Sequence, residues 1–218
     1  VPTRRASDRY RMNVAPGYLP QDPMESVARD MCARFGRSNT LPEILWTWTG
    51  CIKPDETAEE QHLRRIACWL SDIGSHDHPE YRAEQTYLRI LRVQGAGFDH
   101  RARVWLSLAL AVRYSVDMSA PALMPSFALL NEVERRDATA CGLALRLAYS
   151  LSGGAGSLLE GTSLAWAGPE PGPTLTPARL AVKGASVRPG PERPGQAPGV
   201  QTRLGVELSG GPASPHWG

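Results

Sequence analysis

The sequence predicts an all-α fold. Three observations carry that prediction. Apolar residues recur at helical spacing in segment after segment between residues 22 and 152, helix-start signatures precede several of those segments, and no stretch alternates apolar and polar residues as a half-buried strand does. Hydrophobic residues make up 42% of the 218 and charged residues 21%, so a packed core is possible and wholesale disorder is excluded.

Taken in order, Asp22-Pro23-x-Glu25 opens the first helix with a capping box and a proline at its first position. Its stripe is Met24, Val27, Ala28, Met31 and Phe35, and Gly36 closes it. Leu41 to Cys51 is a second helix, rich in aromatics through Trp46 and Trp48. Thr57-x-x-Glu60 is another capping box, leading into Leu63, Ile66, Ala67, Leu70 and Ile73. Pro79 predicts the start of the next helix, which Gly95 and Gly97 end. Asp99 caps a helix that is apolar almost all round from Val104 to Val112, and such a helix belongs at the centre of a bundle. After Pro121 and Pro125 a last long helix is expected over about 127–151.

Composition divides the chain into three parts. Residues 1–20, with Pro2, Pro16 and Pro20 among four arginines, are expected to form an irregular basic arm. Residues 21–152 are the helical domain. Residues 153–218 hold 14 glycines and 10 prolines, a share that predicts a poorly ordered tail with at most strand-like pieces such as 174–176 or 200–206.

Several function classes are excluded or disfavoured. The longest uncharged apolar run, Val104 to Val112, is far short of the roughly 20 residues that cross a bilayer. A net charge of +2 does not argue for nucleic acid. Of the 24 basic residues only Lys53 and Lys183 are lysines, a skew that GC-rich coding produces. Cys32, Cys51, Cys68 and Cys141 show no CxxC spacing and read as reduced, largely core residues of a cytoplasmic protein. There is no G-x-S-x-G and no Walker-type loop, and Gly153-Gly154-Ala155-Gly156 follows a helix where a phosphate cradle precedes one.

Two constellations remain. The first is the polar run from Ser71 to Glu80. Asp72, His76 and His78, with Asp77 and His100 further off, offer nitrogen and oxygen donors of the kind a transition metal takes, which opens a reading as an HD-type metal-dependent phosphohydrolase. Ser71 stands before Asp72 where such an enzyme has the histidine of its His-Asp pair; the other reading is a solvated loop with Asp72 bonded to backbone amides. The second is an arginine stripe. Arg82, Gln85, Arg89 and Arg92 share one face of a helix, and Arg101 and Arg103 follow the glycine turn. Spaced guanidinium forks suit a linear polyanion; the alternative is an ordinary solvated face.

The run Leu70-Ser71-Asp72-Ile73-Gly74, with His78-Pro79-Glu80-Tyr81-Arg82-Ala83-Glu84-Gln85 after it, resembles the C-terminal helical region of bacterial exopolyphosphatases of the Ppx/GppA family. Glu43 to Trp48, Glu59-Glu60 with Leu63-Arg64 and Ala67-Cys68, Gly97 to His100, Arg113-Tyr114, and Leu145 to Ser152 agree in order and spacing, so the resemblance covers about residues 20–168. It implies an HD-like helical fold that has lost its metal ligands, a contribution to a homodimer, and a basic path for polyphosphate. Family enzymes release the terminal phosphate of polyphosphate or guanosine pentaphosphate with magnesium, using an actin-like catalytic domain whose motifs do not occur here. No catalytic residue and no cofactor is therefore carried over to this chain. Ser75 and His76-Asp77 depart from the family pattern. The Pro/Gly/Arg-rich stretch after Gly168 departs from its strand-rich ending, as a truncated or frameshifted copy would.

The expected function is that of such a helical region, inactive alone, binding polyphosphate through Arg82, Arg89, Arg92, Arg101 and Arg103 or supporting dimerisation. The rivals are the metal-dependent hydrolase and an interaction module with no anion ligand.

Overall fold

The computed structural model describes residues 22–95, 97–123 and 128–166, together with the backbone of 180–183 and 207–209. The expected arm (1–20) and the strand-like pieces at 174–176 and 200–206 lie outside the described residues. The architecture is all-α. The helices are α1 (Pro23–Phe35), α2 (Leu41–Trp48) with a 3-10 turn at Thr49–Cys51, α3 (Ala58–Leu70), α4 (Arg82–Leu91) and α5 (His100–Arg113). After a 3-10 turn at Pro121–Leu123 come α6 (Glu132–Ser152) and the short α7 (Gly156–Glu160). Three short strands follow, β1 (Ser163–Trp166), β2 (Leu180–Lys183) and β3 (Glu207–Ser209). β2 pairs antiparallel with β1, in the register Ser163 opposite Lys183, and parallel with β3.

The bundle is built around α5. Every residue from Val104 to Arg113 is buried, and α5 packs against α4, α6 and α3. Burying an apolar helix on all sides is the main source of stability such a domain has. The crossing of α5 and α6 is close because Gly142 lacks a side chain: a Cβ there would run into the carbonyl oxygen of Ala109 and lie 2.8 Å from Val112 Cβ.

The caps are where the chain chemistry places them. Asp22 accepts from the amides of Met24 and Glu25, Thr57 and Glu60 form the reciprocal box, and Asp99 accepts from Ala102 N. Two boundaries move. The helix expected from Pro79 begins at Arg82, because the carbonyl of His78 accepts from both Tyr81 N and Arg82 N and residues 71–81 form a series of turns. The last helix begins at Glu132, behind a full capping box of Asn131 and Glu134. Phe35, expected on the inner stripe of α1, is 42% exposed and lies under the guanidinium of Arg89, 5.4 Å from the ring centre.

The boundary at 152/153 is corrected as well. Leu159 and Leu164 are buried in the core, and the Trp48 indole donates to Thr162 Oγ1 at 3.0 Å. Gly153, in the left-handed conformation, ends α6 and turns the chain back so that α7 reaches α2 and α6. The packed body therefore runs to residue 166. The four cysteines are free thiols; Cys32, Cys68 and Cys141 are buried. Among the described residues no helix is long and apolar enough to cross a membrane.

Candidate functional site

Asp72 is the centre of the polar run, and it faces inward. It follows the end of α3 and is buried, with its carboxylate held from three directions. Arg37, in the link between α1 and α2, donates its backbone N–H (2.9 Å) and Nε (3.0 Å) to Oδ2 and an Nη to Oδ1 (2.8 Å). Ser75 Oγ donates to Oδ1, and a guanidinium nitrogen of Arg113 stands 3.8 Å from it. Burial pushes the carboxyl upward, but the bonds from Arg37 and Ser75 outweigh it and hold Asp72 below the usual aspartate range.

Two tyrosines frame this carboxylate. Tyr114, at the end of α5, accepts from Gly74 N at 3.0 Å, and the Tyr149 hydroxyl of α6 pairs with Ser71 Oγ at 2.9 Å. Burial pushes both phenols up, so they stay neutral. The Arg113 guanidinium lies between their rings, 4.0 Å from the centre of Tyr114 and 3.9 Å from that of Tyr149. Ser71 thus serves as a hydrogen-bond partner for Tyr149.

This arrangement does not gather the histidines. His76 and His78 are exposed on the turn, His78 accepting from Glu80 N at 3.3 Å, and His100 is exposed at the first position of α5. Among the described residues no group of three or more His, Cys, Asp or Glu is placed to hold a metal ion. Magnesium, which takes carboxylate and water oxygens in an octahedron, finds no fit at Asp72, whose oxygens already serve two arginines and a serine.

The arginine stripe divides into two groups. Arg89 is engaged: it donates to the Ile73 carbonyl at 2.7 Å and to Asp77 Oδ1 at 3.1 Å, tying α4 to the turn before it. Arg101 is engaged too, donating Nε to Glu134 Oε1 at 2.7 Å and so joining α5 to the capping box of α6. Arg82, Arg92 and Arg103 have no ion pair with any described residue. Arg82 begins α4 and lies 6.0 Å from the Tyr114 ring centre, Arg92 is exposed at the C-cap of α4, and Arg103 is half-buried on α5.

Sequence reasoning assigned no site role to Arg37, Arg113, Tyr114 or Tyr149. Arg113-Tyr114 was visible as the end of the apolar helix, but nothing local signals that Arg37 reaches a residue 35 positions away.

Fold and site together define a helical bundle whose polar centre is an aspartate clamped by arginine. The chain matches the exopolyphosphatase C-terminal family over residues 27–166 and belongs to that family. No curated protein matches it. The matched span ends with β1, in agreement with the boundary of the packed body.

Proposed function

We propose that this chain is the polyanion-binding and assembly region of an exopolyphosphatase-like phosphatase, with hydrolysis dependent on a catalytic domain that these 218 residues do not supply. The observation that carries the reading is the family membership combined with the state of the stripe: Arg82, Arg92 and Arg103 have no ion pair among the described residues. Guanidinium groups without a carboxylate partner offer their forks to phosphate oxygens. Arg89 and Arg101 hold the scaffold that presents the others.

The test is salt-dependent binding of long-chain polyphosphate. Affinity falls as salt rises, since exposed contacts are screened over roughly 8 Å at physiological ionic strength. Replacing Arg82, Arg92 and Arg103 together by alanine lowers affinity strongly, lysine restores part of it, and changing Arg135 and Arg136 of α6 matters less. Binding that is flat with salt, or untouched by the triple change, leaves the plain interaction module. In magnesium the chain alone releases no phosphate, because the clamp on the transferring phosphoryl group is most of what such catalysis requires. Turnover abolished by Asp72→Ala or His78→Ala would instead establish the metal-dependent hydrolase.

A further inference from the structure

The polar centre holds more positive charge than its carboxylate balances. Arg37, Arg113 and Arg82 alternate with two phenol rings: Arg37 lies 5.9 Å from the centre of Tyr149, Arg113 3.9 Å from Tyr149 and 4.0 Å from Tyr114, and Arg82 6.0 Å from Tyr114. Arg37 and Arg113 share one carboxylate, Asp72, and Arg82 adds a third guanidinium beside the Tyr114 ring. Arg37 takes most of the carboxylate, with three hydrogen bonds. Arg113, whose side chain is only 9% exposed, has the same carboxylate 3.8 Å away, and its buried Nε has no hydrogen-bond partner. Arg82 pairs with no carboxylate among the described residues. A buried charge in this condition is costly unless a counter-charge and hydrogen bonds complete it.

We propose that Arg37, Arg113 and Arg82 form a subsite for a single tetrahedral oxyanion of the phosphate type. Arg37 is the entrance. Its side chain is 46% exposed, and its second Nη has no hydrogen bond among the described residues while Asp72 fixes the rest of the fork. Arg113 supplies buried field from beneath, and Arg82 closes the site from the start of α4. The rings cannot swing away, because their hydroxyls are tied to Gly74 N and Ser71 Oγ. Arg89 stands outside the subsite, since Asp77 already answers its charge. The surplus of guanidinium over carboxylate selects a multiply charged anion over a monocarboxylate, and the planar forks fit oxyanion edges. The proposal rests on the polyanion reading only for the length of the ligand; a lone phosphoryl group suffices to fill the subsite.

Calorimetric titration of the full chain with orthophosphate at low salt tests this. The expected result is saturable binding of one phosphate per chain, weakened at least tenfold by Arg37→Gln and by Arg113→Met and unchanged by Arg135→Ala with Arg136→Ala on α6. Circular dichroism checks that each variant is folded; should Arg113→Met unfold, the exposed Arg37→Gln decides. No saturable phosphate binding, or wild-type affinity in folded Arg37→Gln, overturns the subsite. Long-chain polyphosphate separates the two readings. Binding that survives Arg37→Gln but is lost with Arg92 and Arg103 keeps the polyanion path and overturns the subsite. Orthophosphate binding with no gain from chain length keeps the subsite and overturns the path.

Discussion

Gly142 of α6 faces the Ala109 carbonyl of α5 with no room for a methyl group between them. In an isolated helix, glycine to alanine gains about 0.5–1 kcal/mol. Here the sign reverses: Gly142→Ala forces backbone apart at the crossing of α5 and α6 and costs about 1–3 kcal/mol, as overpacking does. Urea denaturation measures it. Gly50→Ala, where a Cβ meets nothing within 4 Å, is the control that stays near neutral.

The Arg37–Asp72 clamp makes stability depend on acid. Asp72 has its folded pKa below the unfolded value of about 3.9, so its contribution is fully present above that pH and is lost as pH falls through the folded pKa. Asp72→Asn removes this part of the acid transition. At pH 7 the variant is destabilised by about 3 kcal/mol, the low end for breaking a buried pair because Arg37 stays half in water. Equal acid-unfolding profiles for the two proteins would refute the assignment.

Leu159 is 1% exposed although it lies in a five-residue helix within the Gly/Pro-rich region. Leu159→Ala lowers stability by about 2 kcal/mol, since a short helix can partly collapse onto the vacancy. Thermal unfolding of the variant checks this, and a melting point equal to wild type would return the segment to the tail.

Arg29, Glu25, Arg65 and Glu43 close a four-membered ring of ion pairs, with contacts of 2.6, 3.3, 3.4 and 3.0 Å. The two arginines also cover Trp69 and Trp46, at 4.1 and 4.7 Å from the ring centres. A double-mutant cycle of Glu43→Gln with Arg65→Met gives a coupling of about 0.5–1 kcal/mol, falling in high salt. Coupling that persists unchanged in high salt would assign it to ring contact instead of charge.

Thiol labelling reports burial directly. Cys51 is half-buried, whereas burial pushes Cys68 up to about 12 and Cys141 well above the ordinary thiol value. A thiol reagent on the native chain modifies Cys51 first, and the others only on unfolding. Early loss of Cys68 or Cys141 would contradict the packing of α3 against α6.

Much of the frame could be read from the chain because its signals are local. Asp22, Thr57 and Asp99 cap through residues two or three positions on, and the all-apolar segment from Val104 admits only a central position. Asn131-x-x-Glu134 is an equally local signal, but Pro121 and Pro125 before it point to an earlier start. Pro79 misled for a physical reason: a proline fits the first position of a helix, but it also fits the turn whose His78 carbonyl delays the start to Arg82. The segment 156–166 was hidden because the glycines and prolines of the whole 153–218 stretch set the composition around it, while Leu159 and Leu164 anchor it. At the site, spacing predicted which arginines share a face. It could not say that Asp77 and Glu134 answer two of them, nor that Arg37 meets Asp72, because those partners come from other parts of the fold.

Lys53 is the single amine-bearing side chain of residues 22–166, and it bridges Glu60 of α3 (2.6 Å) to Asp137 of α6 (2.8 Å). The two carboxylates outweigh burial and raise its pKa, so the free amine that acylating reagents require is scarce. Amine-directed tagging, crosslinking or acetylation of the folded body is therefore confined to one protected position. Attachment at Lys53 would itself break the bridge between the two helices, making acylation there a chemical marker of unfolding.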